Sequence, residues 1–220
     1  MIVKIETTED GSHTLAVPGL NEHYHSIHGA ISESKHIFIE ACLKYSLQKK
    51  NKINILEIGF GTGLNTLMTL LELSKLNISC DYTSIENFPL KKEIYKQLNY
   101  PGTLGISKEF FLSLHTSIWN EKVKITSIFD LHKINCNAQE MILTENSFDV
   151  VYFDAFAPDI QPEMWTKNIF ENIWRSMKTN AVLTTYSTKG DVKRILKNIG
   201  FKIEKLPGPK GKREILRATK

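Results

Sequence analysis

Apolar residues recur along this chain at two spacings, and the spacings alternate from one end to the other. Residues 1–6 and 12–17 alternate apolar and polar positions around an Asp-Gly turn, which predicts a β-hairpin. From residue 53 onward, short apolar runs alternate with segments in which apolar residues recur every three or four positions. Because such runs form buried strands and such segments form amphipathic helices, we predict a mostly parallel sheet covered by helices.

The predicted elements follow from where each pattern begins and stops. Helices are predicted over residues 35–49, 63–76, 105–117, 138–143, 163–178 and 190–199, and another opens at Phe88-Pro89-Leu90. After a first buried strand from Ile53, strands are predicted over residues 81–87, 122–128, 130–135, 150–153, 181–186, 201–206 and 213–219. The last two strands are consecutive and predict a terminal antiparallel hairpin.

At 220 residues the chain has the size of one domain with a small appendage. We expect residues 1–50 to form an N-terminal hairpin and helix packed on a core domain of residues 51–220. The fold class expected for that core is α/β, with a Rossmann-like sheet.

The loop after the first buried strand carries a dense chemical signal. Glu57 lies near the end of the strand, and glycines follow at positions 59, 61 and 63. Such a turn lets a ligand approach bare backbone, and the following helix start offers unpaired N–H groups. The dinucleotide fingerprint Gly-x-Gly-x-x-Gly requires a glycine where Leu64 stands. The loop instead resembles the E/D-x-G-x-G-x-G loop of S-adenosylmethionine (SAM) methyltransferases, although NAD or FAD stays open on the loop alone.

Two further acids stand at predicted strand ends, where open α/β sheets bind ligands. Glu86 follows Gly59 by 27 positions, and an acid there accepts hydrogen bonds from ribose hydroxyls. Asp154 follows the apolar run Val150–Phe153. The alternative for each is an ordinary strand-end acid or a cap of the next loop. The terminal hairpin is typical of class I methyltransferases and is a second indication for SAM.

Charge is unevenly distributed along the chain. Residues 202–220 contain seven basic and two acidic residues, a net +5, whereas the whole chain carries +4. A basic segment on a near-neutral body indicates an anionic partner, and a solvated tail is the alternative.

Composition excludes several classes of protein. The chain has 3 widely spaced cysteines without a Cys-x-x-Cys pair, which indicates reduced thiols in a cytoplasmic protein. It lacks a signal-peptide pattern and an apolar run of the roughly 18 residues that a membrane span requires. Because such a run is missing, no membrane contact is expected. The histidines of the first 36 residues lack an accompanying carboxylate or cysteine set, so no metal site is expected either.

Two longer motifs identify a family. The stretches Asp154-Ala155-Phe156-Ala157-Pro158 and 207–214, Pro-Gly-Pro-Lys-Gly-Lys-Arg-Glu, resemble the tRNA 5-aminomethyl-(2-thio)uridine methyltransferases. That family comprises the stand-alone MnmD enzymes and the methyltransferase half of bifunctional MnmC. Further stretches fit nearly end to end: Asp10–Ser12, Tyr24–Ser26, Gly29-Ala30, Glu33, the glycine loop, Glu86–Leu90, Thr185–Ser187 and Lys189-Gly190.

The resemblance implies methyl transfer from SAM to the amine of 5-aminomethyl-(2-thio)uridine at tRNA wobble position 34. It also implies a separate enzyme that makes the aminomethyl precursor. Because the chain ends at Lys220 without a second glycine fingerprint, we expect no FAD-dependent oxidase activity.

Site residues follow from the strand ends, the charge and the resemblance together. Residues predicted to bind the cofactor are Glu57, Gly59, Phe60, Gly61, Thr62, Gly63, Glu86, Asn87 and Asn137, the last where the family pattern leads us to expect an Asp. Residues predicted to bind the substrate are Tyr24, Glu33, Phe156, Pro158, Lys189, Lys210, Lys212 and Arg213. Asp154 is predicted to be catalytic, because a carboxylate can orient the protonated amine and accept its proton.

Three other functions fit the residues less fully. One is a SAM methyltransferase acting on another small amine or a protein. The second is a non-catalytic SAM-fold module that binds tRNA. The third is a nicotinamide oxidoreductase, which Leu64 and the terminal hairpin disfavour.

Overall fold

A computed structural model describes residues 2–47 and 50–220 of the chain. Met1 and residues 48–49, which belong to the predicted first strand and the predicted 35–49 helix, lie outside the described residues. A small antiparallel sheet comes first, with the order β1-β2-β3. Its strands are β1 (Lys4–Thr7), β2 (His13–Val17) and β3 (Glu22–His23). The predicted N-terminal hairpin is therefore confirmed.

The main sheet has eight strands in the order β10-β11-β9-β8-β4-β5-β7-β6. The strands are β4 (Lys52–Ile58), β5 (Ser79–Ile85), β6 (Lys122–Lys124), β7 (Phe129–Ile134), β8 (Phe148–Phe153), β9 (Met177–Thr185), β10 (Lys202–Pro207) and β11 (Glu214–Thr219). The central strands β7, β5, β4, β8 and β9 are parallel to their neighbours in that series. Strand β11 is antiparallel to both β9 and β10. The predicted Rossmann-like sheet with a terminal hairpin is confirmed.

The strand order reverses between β4 and β8. From β4 the chain passes outward to β5 and β7, then returns to β8 on the other side of β4. Ligands of open α/β sheets bind outside the carboxyl ends of the strands at such a reversal. The glycine loop after β4 and Asp154 after β8 both lie there.

The helices differ from the predictions mainly at their ends. They are α1 (Ala30–Ser34), which continues as a π-helix (Lys35–Lys44), α2 (Leu64–Leu76), α3 (Lys92–Tyr95), α4 (Tyr100–Leu104), α5 (Lys108–Thr116), α6 (Lys167–Ser176) and α7 (Gly190–Ile199). The predicted helix 163–178 is divided, because a 3₁₀ turn (Pro162–Trp165) precedes Thr166, which is extended. Its predicted end is wrong as well, since Met177 already opens β9.

The predicted helix over residues 138–143 is wrong. Residues 138–140 form a turn, and residues 141–144 have no regular structure. The side chain of Asn137 accepts a hydrogen bond from the backbone N–H of Gln139 at 3.0 Å. Such a local side-chain bond stabilises a turn in place of a helix.

Strand β8 is buried on both faces, as its uninterrupted apolar run predicts. Val150 and Tyr152 pack into a core with Leu15, Ile37, Leu67 and other residues of the N-terminal segment, α2 and α5. Val151 and Phe153 point to the other core, formed with α6 and α7. The segment before β4 thus shares a hydrophobic core with the sheet. Among the described residues, no helix has the length and hydropathy needed to cross a bilayer.

The ends of β4 and β8 meet backbone to backbone. The N–H of Asp154 donates to the carbonyl oxygen of Ile58 at 3.0 Å. Gly59 follows with φ +96°, and a Cβ atom at that position would lie 2.6 Å from the carbonyl oxygen of Asp154. A side chain at position 59 would therefore both strain its own backbone and push the two strand ends apart.

We therefore predict that Gly59→Ala lowers the free energy of unfolding by about 2–3 kcal/mol, from backbone strain and displacement of the β8 end. Urea unfolding followed by circular dichroism measures this change. The control is Gly19→Ala, because Gly19 has open space around its Cβ position. That control should stay within about 0.5 kcal/mol of the unmodified protein. Equal stability of the two variants would contradict the role given to the contact.

Candidate active site

A cavity of about 820 Å³ opens at the carboxyl ends of β4, β5 and β8. Its size is within the roughly 300–1,000 Å³ range of small-molecule sites. The floor is formed by the glycine loop, and the walls come from the N-terminal segment, the strand ends and the terminal hairpin. Predicted site residues on this wall are Tyr24, Glu33, Gly59, Phe60, Gly61, Thr62, Glu86, Asn87, Asn137, Asp154, Phe156 and Lys212.

The remaining predicted site residues are not part of the cavity wall. They are Glu57, Gly63, Pro158, Lys189, Lys210 and Arg213. Lys189 forms an ion pair with Asp159, and Lys210 pairs with Glu9 at 2.6 Å. Arg213 is exposed. The charged stretch of the terminal hairpin is thus divided: Lys212 faces the cavity, and Lys210 faces the exterior.

Glu86 joins the glycine loop to the end of β5. Its Oε2 accepts a hydrogen bond from the backbone N–H of Gly61 at 3.0 Å. Its Oε1 accepts another from the backbone N–H of Phe88 at 2.8 Å. Because a carboxylate oxygen accepts two hydrogen bonds, each oxygen keeps one acceptor site for a ligand hydroxyl.

Two buried histidines hold the loop at Thr62. Nε2 of His115 donates to the carbonyl oxygen of Thr62 at 3.0 Å, and Nε2 of His25 hydrogen-bonds its hydroxyl at 2.7 Å. Burial lowers the pKa of His115 to about 3 and also lowers the pKa of His25. Both rings are therefore neutral at physiological pH, and the loop is held by uncharged hydrogen bonds.

Glu57 lies beneath the loop and is fully buried. Its Oε2 accepts hydrogen bonds from Ser84 at 2.6 Å and Thr66 at 3.1 Å, whereas its Oε1 is a buried atom without a partner among the described residues. Burial raises the pKa of Glu57 to about 8, and the negative charge of Asp154 acts in the same direction. The carboxyl group therefore has one oxygen beneath the glycine loop whose hydrogen-bonding capacity is unused.

Asp154 is the carboxyl group at the centre of the wall. Nδ2 of Asn65, in the first turn of α2, donates to its Oδ2 at 2.8 Å. Burial, together with the nearby Glu33, raises the pKa of Asp154 to about 7, against the opposing effects of Asn65 and Lys212. A carboxyl group whose pKa lies near 7 can both bind and release a proton at physiological pH.

Glu33 and Lys212 form an ion pair on the same wall, with Oε1 and Nζ 3.2 Å apart. The backbone N–H of Ser26 donates to the other oxygen of Glu33 at 2.7 Å. The Lys212 ammonium lies 5.0 Å from the ring centre of Tyr186, whose hydroxyl donates to the carbonyl oxygen of Ala155 at 2.8 Å. The pair therefore links α1, the terminal hairpin and the loop after β8.

Aromatic rings close another side of the cavity. Tyr24 and Phe156 meet edge to face, with ring centres 5.1 Å apart. The pair lines the same cavity as Asp154 with aromatic surface, against which a planar ring can pack.

Among the cavity-lining residues that were not predicted as site residues, His25, Asn65 and Tyr186 make the contacts described above. Asn65 had a recognisable signal, since it is a polar residue in the first turn of the helix that follows the glycine loop. His25 and Tyr186 stand in the family-matched stretches Tyr24–Ser26 and Thr185–Ser187, but their contacts with Thr62 and Ala155 join segments that are 37 and 31 residues apart, which the sequence does not indicate.

The residues present fit SAM. The loop approaches the cavity with bare backbone, Glu86 has acceptor sites for the ribose hydroxyls, and the buried Oε1 of Glu57 lacks a protein partner. These groups match the polar ends of the cofactor, while the cavity has room for its adenine ring.

A family model described as S-adenosyl-L-methionine-dependent methyltransferase matches residues 108–220. The chain is 34% identical over 207 residues to the tRNA 5-methylaminomethyl-2-thiouridine biosynthesis bifunctional protein MnmC of Leptospira interrogans serogroup Icterohaemorrhagiae serovar copenhageni, covering 88% of this chain and 32% of that protein. It is 31% identical over 201 residues to the protein of that name from Campylobacter hominis, covering 89% and 29%. The chain thus spans about a third of the length of these curated relatives.

A crystal structure of MNMC2 from Aquifex aeolicus superposes with a TM-score of 0.81 at 27% identity, covering 99% of this chain and 70% of that one. The resemblance to the methyltransferase portion of MnmC is confirmed by these matches. The chain belongs to the S-adenosyl-L-methionine-dependent methyltransferase family.

The raised pKa of Glu57 makes stability depend on pH. The carboxyl group titrates near 4.5 when unperturbed and near 8 in the fold. Between those values the folded state binds the extra proton, so stability falls as pH rises. We predict that Glu57→Gln, which cannot ionise, gains about 2–4 kcal/mol relative to the unmodified protein between pH 5 and 8.

Chemical denaturation at each pH measures that difference. The exposed Glu121, changed to Gln, serves as the control and should give a difference that does not vary with pH. A flat difference for Glu57→Gln as well would show that Glu57 is ionised in the fold throughout this range.

Proposed function

We propose that this methyltransferase transfers the methyl group of SAM to the amine of 5-aminomethyl-(2-thio)uridine at tRNA wobble position 34, in the cytoplasm. The observation that carries the proposal is Asp154, a carboxyl group with a pKa of about 7, placed opposite the glycine loop in one cavity. A separate enzyme supplies the aminomethyl precursor. The names of the relatives support tRNA as the substrate.

Each part of the cofactor has a partner in this proposal. Glu86 binds the ribose hydroxyls, and the backbone of Gly59–Gly63 with Asn87 surrounds the adenosine and the methionine carboxylate. Glu57 binds the methionine ammonium from below the loop, and the positive charge of that ammonium favours the ionised form of the carboxyl group in the complex. Nδ2 of Asn137 donates to an adenine ring nitrogen, while its Oδ1 keeps the hydrogen bond from the backbone N–H of Gln139.

The chemistry requires alignment and one proton transfer. Bound SAM provides a methyl group already activated by its sulfonium charge. The alkylamine of the substrate is mostly protonated at neutral pH and has no free lone pair in that form. Asp154 accepts the proton and holds the amine by an N–H hydrogen bond, which aims the lone pair along the line of attack. Asn65 keeps the carboxylate in the orientation needed for this step.

The nucleoside is held by the surrounding wall. Tyr24 and Phe156 contact the uracil ring after it has flipped out of the anticodon loop, with Pro158 next to them. Lys189, Lys210 and Arg213 lie outside the cavity, where they contact phosphates of the tRNA.

Incubation with SAM and tRNA from a strain lacking this activity, followed by nucleoside mass spectrometry, tests the proposal. The expected product is the methylaminomethyl nucleoside, formed only in tRNAs that carry the aminomethyl precursor. Methylation of free amines or proteins at a comparable rate, with unmodified tRNA nucleosides, would instead support one of the other methyltransferase functions.

We predict that Asp154→Asn lowers turnover by about 10²–10⁴-fold, because the amide cannot accept the amine proton. Calorimetry should show unchanged SAM affinity, which separates a chemical defect from a loss of cofactor binding. Asp191→Asn, at an exposed position on α7, is the control and should methylate tRNA at the normal rate. Full activity of Asp154→Asn would remove Asp154 from the mechanism.

The pH dependence follows from the same residue. Since only the ionised form of Asp154 accepts a proton, kcat/KM should rise as pH increases through about 7. Steady-state rates between pH 5.5 and 9 measure this rising limb of the pH profile. If the slow residual turnover of Asp154→Asn does not rise with pH in this range, the limb is assigned to Asp154.

A further inference from the structure

The turn of the terminal hairpin is pressed against the N-terminal segment. Gly211 has φ +85°, and a Cβ atom there would lie 2.1 Å from the ring of His28. Nε2 of His36 hydrogen-bonds the carbonyl oxygen of Pro207 at 2.8 Å. In this packing, Lys212 lines the cavity wall.

The exposure of the two turn lysines differs accordingly. The side chain of Lys210 is 73% exposed in its ion pair with Glu9, whereas that of Lys212 is 30% exposed in its pair with Glu33. Glu33 itself is only 10% exposed. An ammonium engaged by a buried carboxylate inside the cavity is poorly placed to contact a phosphate on the surface.

The Lys212 ammonium lies on a cavity wall that carries two carboxyl groups. Asp154 and Glu33 are two carboxyl groups on one wall, and like charges oppose simultaneous ionisation. Other ionisable groups that face Asp154 are Glu57 beneath the loop and Tyr186 beside it, and neither supplies a positive charge. Lys212 is thus the cation of this cluster within the described residues.

We propose that Lys212 is a positioning residue for methyl transfer: paired with Glu33, its ammonium keeps Asp154 in the carboxylate form that accepts the amine proton. The proposal rests on the function proposed above. This role replaces, for Lys212, the phosphate contact expected from the sequence.

The test compares pH profiles of kcat/KM for Lys212→Met, Lys212→Arg and the unmodified enzyme. In Lys212→Met, the pH at which kcat/KM rises, assigned to Asp154, should increase by about one unit. Below that pH, kcat/KM should be about tenfold lower than in the unmodified enzyme, and at high pH the difference should disappear. Lys212→Arg keeps the charge and should retain the normal limb. Lys205→Met removes the same kind of ion pair from the same hairpin, with Glu214 at 2.7 Å, and should not move the limb.

A double variant keeps the test decisive if the single change disturbs the wall. Glu33→Gln with Lys212→Met removes the opposing acid together with the cation, so the limb should move back toward its normal pH. An unmoved limb in Lys212→Met with weaker tRNA binding would overturn the proposal and restore the phosphate contact. Failure of the double variant to move the limb back would also overturn it.

A readout without turnover separates this inference from the proposed function. The carboxyl ¹³C resonance of Asp154, titrated in the protein without tRNA, should shift its midpoint upward in Lys212→Met and stay unchanged in Lys205→Met. If the unmodified protein does not methylate tRNA, the proposed function fails, yet this titration still supports or overturns the coupling of Lys212 to Asp154.

Discussion

The backbone contact between Gly59 and Asp154 is the constraint on which the site depends. Strands β4 and β8 are neighbours at the reversal of strand order, so the segments that leave them must cross within van der Waals distance. Only a residue without a Cβ fits there. The result is that the glycine loop and Asp154 line one cavity, although 95 positions separate Gly59 and Asp154 in the chain.

The two ends of β8 show how environment decides the role of an aspartate. At the amino end, burial alone would raise the pKa of Asp149, but Lys178, Lys50 and the backbone N–H of Asn54 donate to it and leave its pKa lowered. At the carboxyl end, burial and the acidic Glu33 outweigh the one neutral donor, Asn65, and the charge of Lys212, so the pKa of Asp154 is raised. Asp149 is an ionised group that joins three segments, and Asp154 is a group able to exchange a proton.

The cavity is completed by the two ends of the chain. Tyr24 and Glu33 come from the segment before β4, and Lys212 comes from the hairpin after the last helix. The glycine loop, Glu86 and Asp154 reach the cavity from the ends of parallel strands, while Tyr24, Glu33 and Lys212 reach it from segments outside those strands.

The sequence by itself determined the order of strands and helices, the glycine loop, Glu86 and Asp154, because hydrophobic period and strand-end position are local properties. Local pattern was insufficient at residues 138–143, where Asn137 caps a turn in place of a helix. Only the tertiary structure decided which charges act inside the site. Lys210 and Lys212 are two positions apart in one basic segment, yet one pairs with Glu9 outside and the other with Glu33 inside. That division depends on how the hairpin packs on a segment some 180 residues away, and no local pattern encodes such a contact.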